Sequence, residues 1–248
     1  MRYFIGNWKM FGVPKSIKIA KNINNFIKID KNRNKYRVIL TPPFTLLQNF
    51  SNYFKNKKIK IGSQNCYHKN IFSSDTGAIS PYMIKKIGCN YSIVGHSDNR
   101  AEGDNDIKLK QKVINCLKNK LKIVYCIGEN KTQKNKNKTF KVLKNQIDNV
   151  IKENISYQNF IIAYEPIWSI GTGKVPSSTE LTKTTLFIKK ILKKRFKKSK
   201  IPAVLYGGSV DEISIKNFKN LKDIDGFLIG GASKSSKKFI DIIKNYYN

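Results

Sequence analysis

Soft metal ligands are scarce in this chain of 248 residues, which has two histidines and four cysteines. Cys66, Cys89, Cys116 and Cys126 make neither a CxxC pair nor the spacing of a disulfide framework, and only His68 and His96 could supplement them. Reduced thiols and no bound metal are the expectation. Long apolar runs are missing as well, since no stretch approaches the ~20 consecutive apolar residues of a membrane span. The opening MRYFIGNWKM enters a strand-like run directly and lacks the layout of a signal peptide. A soluble, cytoplasmic protein with no membrane association is expected.

Acidic residues are also few. Sixteen Asp and Glu face 48 Lys and Arg, for a net charge of +32. An excess of this size attracts nucleic acid or anionic membrane through sequence-independent electrostatics. The lysines, however, travel with Asn and Ile, as in KNRNKYR from Lys31 and KTQKNKNK from Lys131. That mixture reads as coding bias that places lysines on solvated helix faces and loops. With no recognisable nucleic-acid motif, specific nucleic-acid binding is not expected.

What is present is a regular alternation. Short β-like runs recur at Tyr3–Gly6, Arg37–Leu40, Ile59–Gly62, Tyr91–Val94, Ile123–Ile127, Phe160–Tyr164, Ala203–Tyr206 and Gly226–Ile229. Between most of them lie lysine-rich stretches with apolar residues at helical spacing, such as Ile17, Ala20, Ile23 and Ile27, or Leu186, Ile188, Ile191 and Leu192. Eight such units in a chain of this length predict an α/β fold, a (β/α)8 barrel in which residues 1–248 form a single domain. In such barrels function gathers where strands end.

The strand FIIAYE ends on Glu165 and runs at once into PIWSIGTGK. A carboxylate at a strand end beside Gly171 and Gly173, which can turn amide groups toward an anion, suggests a base under a hinged flap. The alternative is an ordinary connection with a capping acid. A nucleotide P-loop is not indicated, because Lys174 is followed by Val175 and the upstream glycine is missing. His96, in VGHSDNR, precedes Ser97 and Asp98, so a helix start faces the imidazole and favours the neutral ring. Lys9, in GNWKMF, sits among apolar residues, unlike the helix-face lysines, and reads as an inward cation for a phosphate and a developing oxyanion. Gly207 to Ser209 and Gly230 to Ser233 form two backbone-amide turns after the last two strands, where barrels often bind phosphate.

Taken in order, GNWKM, GSQN, TGAISP, VGHS, CIGE, YEPIWSIGTGK, YGGSV and GFLIGGAS resemble the triosephosphate isomerase family over essentially the whole chain. The resemblance implies cofactor-free interconversion of dihydroxyacetone phosphate and D-glyceraldehyde 3-phosphate, a triose phosphate substrate and a homodimer. A Glu base with a neutral His electrophile under a closing loop is the arrangement this family is known for. Carried onto this chain it implies Glu165, His96 and Lys9 as catalytic residues. Asn7, Gly171, Ser209, Gly230 and Gly231 would bind substrate. Pro166, Trp168, Ile170, Thr172, Gly173 and Lys174 would belong to the lid, with Ile170 and Leu228 clamping the base and Tyr206 latching the lid. Cys126 and Glu129 would support the site, and Thr76, at the tip of the loop from Cys66 to Ile79, would enter the neighbouring subunit.

Several positions depart from the family pattern. Ala78 and Asn99 stand where it has a Glu and an Arg that resemble an intersubunit ion pair, so a weaker dimer is expected. Asp98 replaces a longer Glu beside Lys9. Pro176 occupies the position whose N–H would reach Tyr206, and proline has no such donor. Ser177 and Glu180 have capping-box spacing that could compensate. Other readings are another phosphate-binding barrel, a nucleic-acid or anionic-surface binder on a barrel scaffold, and a folded but slow isomerase.

Overall fold

The computed structural model describes residues 1–151, 156–196 and 200–248. Among them eight parallel strands close into a barrel in chain order, β1 to β8. They are β1 (Arg2–Asn7), β2 (Tyr36–Thr41), β3 (Lys60–Ser63), β4 (Tyr91–Val94), β5 (Lys122–Ile127), β6 (Phe160–Tyr164), β7 (Ala203–Tyr206) and β8 (Gly226–Ile229). The ring is completed where β1 pairs with β8, Tyr3 to Gly226 through Gly6 to Ile229. Every strand expected from the sequence is present. The third is displaced by one residue and starts at Lys60, while the first, second and fifth extend slightly further.

The outer layer is made of α1 (Ile17–Ile29), α2 (Phe44–Phe54), α3 (Pro81–Lys86), α4 (Ser97–Ala101), α5 (Asp106–Lys118), α6 (Lys131–Asn135), α7 (Thr139–Val150), α8 (Ser178–Phe196) and α9 (Ser236–Tyr247). Local chemistry starts them. Ser80 Oγ accepts from the Met83 N–H at 3.3 Å ahead of Pro81, and Asn105 Oδ1 accepts from the Lys108 N–H at 3.0 Å. In α1 the residues at helical spacing, Ala20, Ile23, Asn24 and Ile27, are the buried ones.

Two expectations need correction. Leu186, placed on the inward face of its helix by spacing, is 49% exposed, while Ile188 and Leu192 are fully buried. Residue 186 falls outside the stripe defined by Leu181, Thr184, Thr185, Ile188 and Leu192, so two polar threonines take places an apolar reading misses. Nor does an α-helix follow every strand. Between β7 and β8 the chain forms a 3-10 helix, Ser214–Phe218. Its buried Ile215 and Phe218 are three apart, the period of that tighter helix.

Two packed layers result. Inside the barrel Ile5, Ile39, Ile93, Val124, Ala163, Leu205 and Leu228 fill the interior. Between barrel and helices lies a larger layer rich in Phe, Ile and Leu, with Trp8 against Phe50 at 5.3 Å between ring centroids. Burying one such side chain contributes about 1.5–3 kcal/mol. The cysteines are free and buried, and the Cys66 and Cys116 sulfurs lie 3.5 Å apart. Among the described residues no helix is long and apolar enough to cross a membrane.

Candidate active site

Glu165 leaves β6 through a turn that only glycine at position 128 permits. A Cβ there would lie 1.7 Å from the Glu165 carbonyl oxygen. The Glu165 N–H donates to the Ile127 carbonyl at 2.7 Å, so the adjacent strand fixes its backbone. Its side chain is buried, and Oε1 stands 3.2 Å from His96 Nε2. Burial raises its pKa, and the neighbouring His96, the Cys126 thiol, the Lys9 ammonium and the Ser97 N–H offset only part of that rise.

His96 is the residue that caps α4. Its Nδ1 accepts from the Asp98 N–H at 3.1 Å, so in this geometry Nδ1 carries no proton and the ring proton sits on Nε2, facing Glu165. The Asp98 carboxylate is farther from Nδ1, at 3.5 Å, and is engaged by Lys9 Nζ at 3.1 Å. The shorter Asp98 therefore still reaches the lysine.

Lys9 adopts a left-handed backbone with φ of 53°. A non-glycine residue there costs about 1–3 kcal/mol and persists only where its surroundings hold it. Asn7 Oδ1 accepts the Lys9 N–H at 3.1 Å, and Gln64 Nε2 donates to both the Lys9 carbonyl and the Thr41 carbonyl at 2.9 Å. Gln64 lies within the GSQN motif, yet its task of seating Lys9 becomes visible only once β2 and β3 are neighbours.

These groups open into a cleft of about 710 Å3 at the carboxyl-terminal ends of the strands. Asn7, Lys9, His96 and Glu165 line it together with Gly171, Gly173, Ser209, Gly230, Gly231, Ile170 and Leu228. Sequence reasoning did not single out Phe11, Lys234 or Lys238, which also border it. Lys234 Nζ lies 5.5 Å from the centroid of the Phe11 ring. Among the described residues no group of His, Cys, Asp and Glu could hold a metal ion.

The remaining expected residues frame the cleft. Pro166 is buried at the head of a 3-10 turn, Ile167–Ser169, and Gly171 and Gly173 take φ of 69° and 73° at the exposed tip of the flap. Trp168 Nε1 donates to Glu129 Oε1 at 2.8 Å, and Tyr164 Oη donates to the same carboxylate at 3.2 Å. Burial is the largest influence on Glu129 and raises its pKa. The far side of the Trp168 ring faces Lys134 Nζ, 3.3 Å from its centroid. Thr172 Oγ1 accepts the Lys174 N–H at 3.2 Å. Thr76 lies apart from the cleft, exposed on the connection between β3 and α3.

Tyr206 is buried, and its hydroxyl is 3.0 Å from Ser169 Oγ, which in turn donates to the Lys174 carbonyl at 2.5 Å. Since the serine's single proton points to Lys174, the tyrosine must be the donor to the serine. The resulting relay, Tyr206 to Ser169 to Lys174, ties the flap to β7 without an N–H at Pro176. The expected capping box is half formed. Ser177 Oγ accepts the Glu180 N–H at 3.2 Å, while the Glu180 carboxylate instead pairs with Lys134 Nζ at 2.7 Å. A cation outcompetes a neutral N–H for a carboxylate.

Arg100 was not anticipated. Its guanidinium reaches the Gly95 carbonyl at 2.9 Å, the Tyr125 hydroxyl at 3.1 Å and the Cys126 carbonyl at 3.0 Å, bracing the turn that carries His96. An arginine one turn into the helix after VGHS was its only trace in the sequence.

A buried carboxylate and a neutral ring beside a lysine, with glycine turns, on the functional mouth of a parallel barrel, define the class of proton-transferring isomerases that grip a small anion. Comparison with known proteins narrows this. The triosephosphate isomerase profile matches residues 2–246. Triosephosphate isomerase of Thermodesulfovibrio yellowstonii is 35% identical over 246 residues, covering 98% of each chain, and that of Alkaliphilus oremlandii is 36% identical over 245 residues, covering 96% of each. The crystal structure of the Bartonella henselae enzyme superposes with a TM-score of 0.90 at 29% identity, over 100% of this chain and 99% of that one. The chain belongs to the triosephosphate isomerase family, and its activity is the isomerisation of triose phosphates in glycolysis.

Proposed function

We propose that Glu165 is the base that moves a proton between C1 and C2 of the triose phosphate. The supporting observation is the buried contact of Glu165 Oε1 with His96 Nε2 at the floor of the cleft. Glu165 takes a proton from C1 of dihydroxyacetone phosphate, and the electrons of that C–H bond form the enediolate. His96 Nε2–H and the Lys9 ammonium meet the charge on its oxygens, the hydroxyl proton of O1 passes to O2 by way of His96, and Glu165 returns its own proton to C2 to give D-glyceraldehyde 3-phosphate. Asn7 positions the substrate. The Ser209, Gly171, Gly230 and Gly231 amides hold the phosphate, and the flap from Pro166 to Pro176, including Trp168, Ile170, Thr172, Gly173 and Lys174, closes over it with Leu228 against the base, excluding water.

Residues 1–248 act as one catalytic domain in a cytoplasmic homodimer. The exposed Thr76, with Ile71 and Phe72 nearby at 48% and 75% exposure, suits insertion into a second copy. Ala78 and Asn99 both line a recess of about 270 Å3, a space consistent with a looser association than the family's ion pair would give.

The direct test is the isomerase assay on purified protein beside Glu165→Gln, over protein concentrations that span dimer dissociation. Strong activity lost in the variant supports this reading, and activity that falls on dilution supports the dimer. A folded dimer without activity, or a variant as active as the parent, overturns the assignment of the base.

A further inference from the structure

At the amino-terminal mouth of the barrel, opposite the catalytic cleft, two concavities merge. One encloses about 660 Å3 and the other about 580 Å3, and both are walled by Met1, Arg37, Tyr91 and Lys122. Together they form a groove across the beginnings of the strands. Among the described residues, the larger half is lined by eight cationic side chains and no carboxylate. Of these, Arg33, Arg37, Lys58, Lys60 and Lys120 are exposed and Lys122 is half-buried.

None of the eight forms an ion pair among the described residues. Their visible partners are neutral. Lys60 Nζ donates to the Lys57 carbonyl at 3.4 Å and Lys85 Nζ to the Lys120 carbonyl at 3.3 Å, while Lys57 Nζ lies 3.2 Å from the centroid of the Tyr53 ring. Carbonyls and ring faces orient these cations without cancelling their charge. A concave wall of one sign focuses its potential, and charges within a Debye length of ~8 Å at physiological salt reinforce one another. The smaller half adds the partly exposed rings of Tyr3 and Tyr157. Asp225, the carboxylate among the described residues of this half, is engaged by Lys189 Nζ at 3.1 Å and the Val204 N–H at 2.9 Å.

We propose that this groove is a second binding site, for single-stranded RNA held through its phosphates without sequence preference. A trench lined by cations with ring faces beyond it is what a phosphodiester chain with unpaired bases requires. Duplexes keep their base faces stacked inward and gain nothing from the tyrosines. A flat bilayer would meet the rim and leave recessed groups such as Lys122 unused. Because the groove lies at the far end of the barrel from Glu165, its occupation leaves the catalytic mouth open.

The test compares two triple charge reversals of equal net charge. Lys58→Glu, Lys60→Glu and Lys120→Glu alter the groove; Lys110→Glu, Lys141→Glu and Lys193→Glu alter exposed lysines on the outer helices α5, α7 and α8. Binding of a fluorescein-labelled oligouridylate is followed by anisotropy across a salt series, with a duplex DNA and phosphatidylglycerol vesicles in parallel. Isomerase activity and melting temperature report folding and should match the parent in both triples. The groove triple should bind RNA at least tenfold more weakly, and its slope of log affinity against log salt should shrink by about 2. The outer triple should retain most of the affinity and slope. Equal losses in both triples would reduce the effect to diffuse net charge and overturn the site. So would no RNA binding by the parent, duplex bound as tightly with the same groove dependence, or vesicle binding that depends on the groove while RNA binding does not.

Discussion

The two mouths of this barrel use charge in opposite ways. At the carboxyl-terminal mouth the central ionic groups have fixed partners: Lys9 meets Asp98 at 3.1 Å and Glu165 meets His96 at 3.2 Å, beside the glycines of the cleft. At the amino-terminal mouth cations stand together and face only carbonyls and rings. A buried site makes one charge strong by removing water, so position matters to a fraction of an ångström. A solvated groove makes many charges act together, so number matters more than position and salt weakens the result.

The sharpest way to break the contrast is Glu165→Gln. If Glu165 is the base, as proposed, its loss should lower kcat by about 10²- to 10⁴-fold, the range general-base catalysis supplies. The same change should stabilise the fold at neutral pH. The sign follows from burial: the folded-state pKa of Glu165 is raised, so its favourable contribution is complete below the ordinary glutamate pKa and is lost as pH rises through the raised value. Melting temperatures of parent and variant should therefore differ at neutral pH, with the variant higher, and converge in acid. A variant that melts lower at neutral pH would mean the carboxylate is well compensated. In the parent, kcat/KM should fall as pH drops through the same raised pKa.

Lys9→Met should follow in size, with a loss of about 10²- to 10³-fold in kcat, as for one donor aimed at a developing oxyanion. Loss confined to KM would make Lys9 a ground-state phosphate anchor. A weaker effect is expected for the flap. Ser169→Ala removes the middle of the Tyr206 to Lys174 relay, worth about 0.5–1.5 kcal/mol per hydrogen bond. Slower turnover with more inorganic phosphate released is the expected result. Pro176→Ala, which restores an N–H, should change neither, because the Tyr206 to Ser169 to Lys174 relay already ties the flap to β7. A gain in turnover in Pro176→Ala would show that the relay is an imperfect substitute.

Much of this was legible before any coordinates. Strand order, the catalytic mouth and the convergence of Asn7, Lys9, His96, Glu165 and the glycine turns follow from short apolar runs and from where motifs fall along them. What stayed hidden depends on partners distant in sequence. Gln64 acts across two strands on Lys9, Lys134 reaches both Trp168 and Glu180, and Arg100 braces a turn through atoms of β5. None has a local signature, because side-chain hydrogen bonding is decided by the fold. The groove was hidden for a different reason. Its lysines look in sequence like all the others, and only the strand beginnings bring Lys60, Arg37 and Lys122 to one rim.

Lys234 tests where the two regimes meet. It borders the catalytic cleft on the phosphate side yet is partly open to solvent, against Phe11. If it acts like the groove lysines, Lys234→Leu should lower kcat/KM only a few-fold at low salt, with the parent and variant converging as salt rises and kcat unchanged, since steering of an anionic substrate is a screened effect on encounter. If it acts like Lys9, the loss should persist at high salt and appear in kcat. The first outcome is expected, because nothing buries Lys234 as His96 and Glu165 are buried, and water around an exposed ammonium leaves little of its field for the transition state.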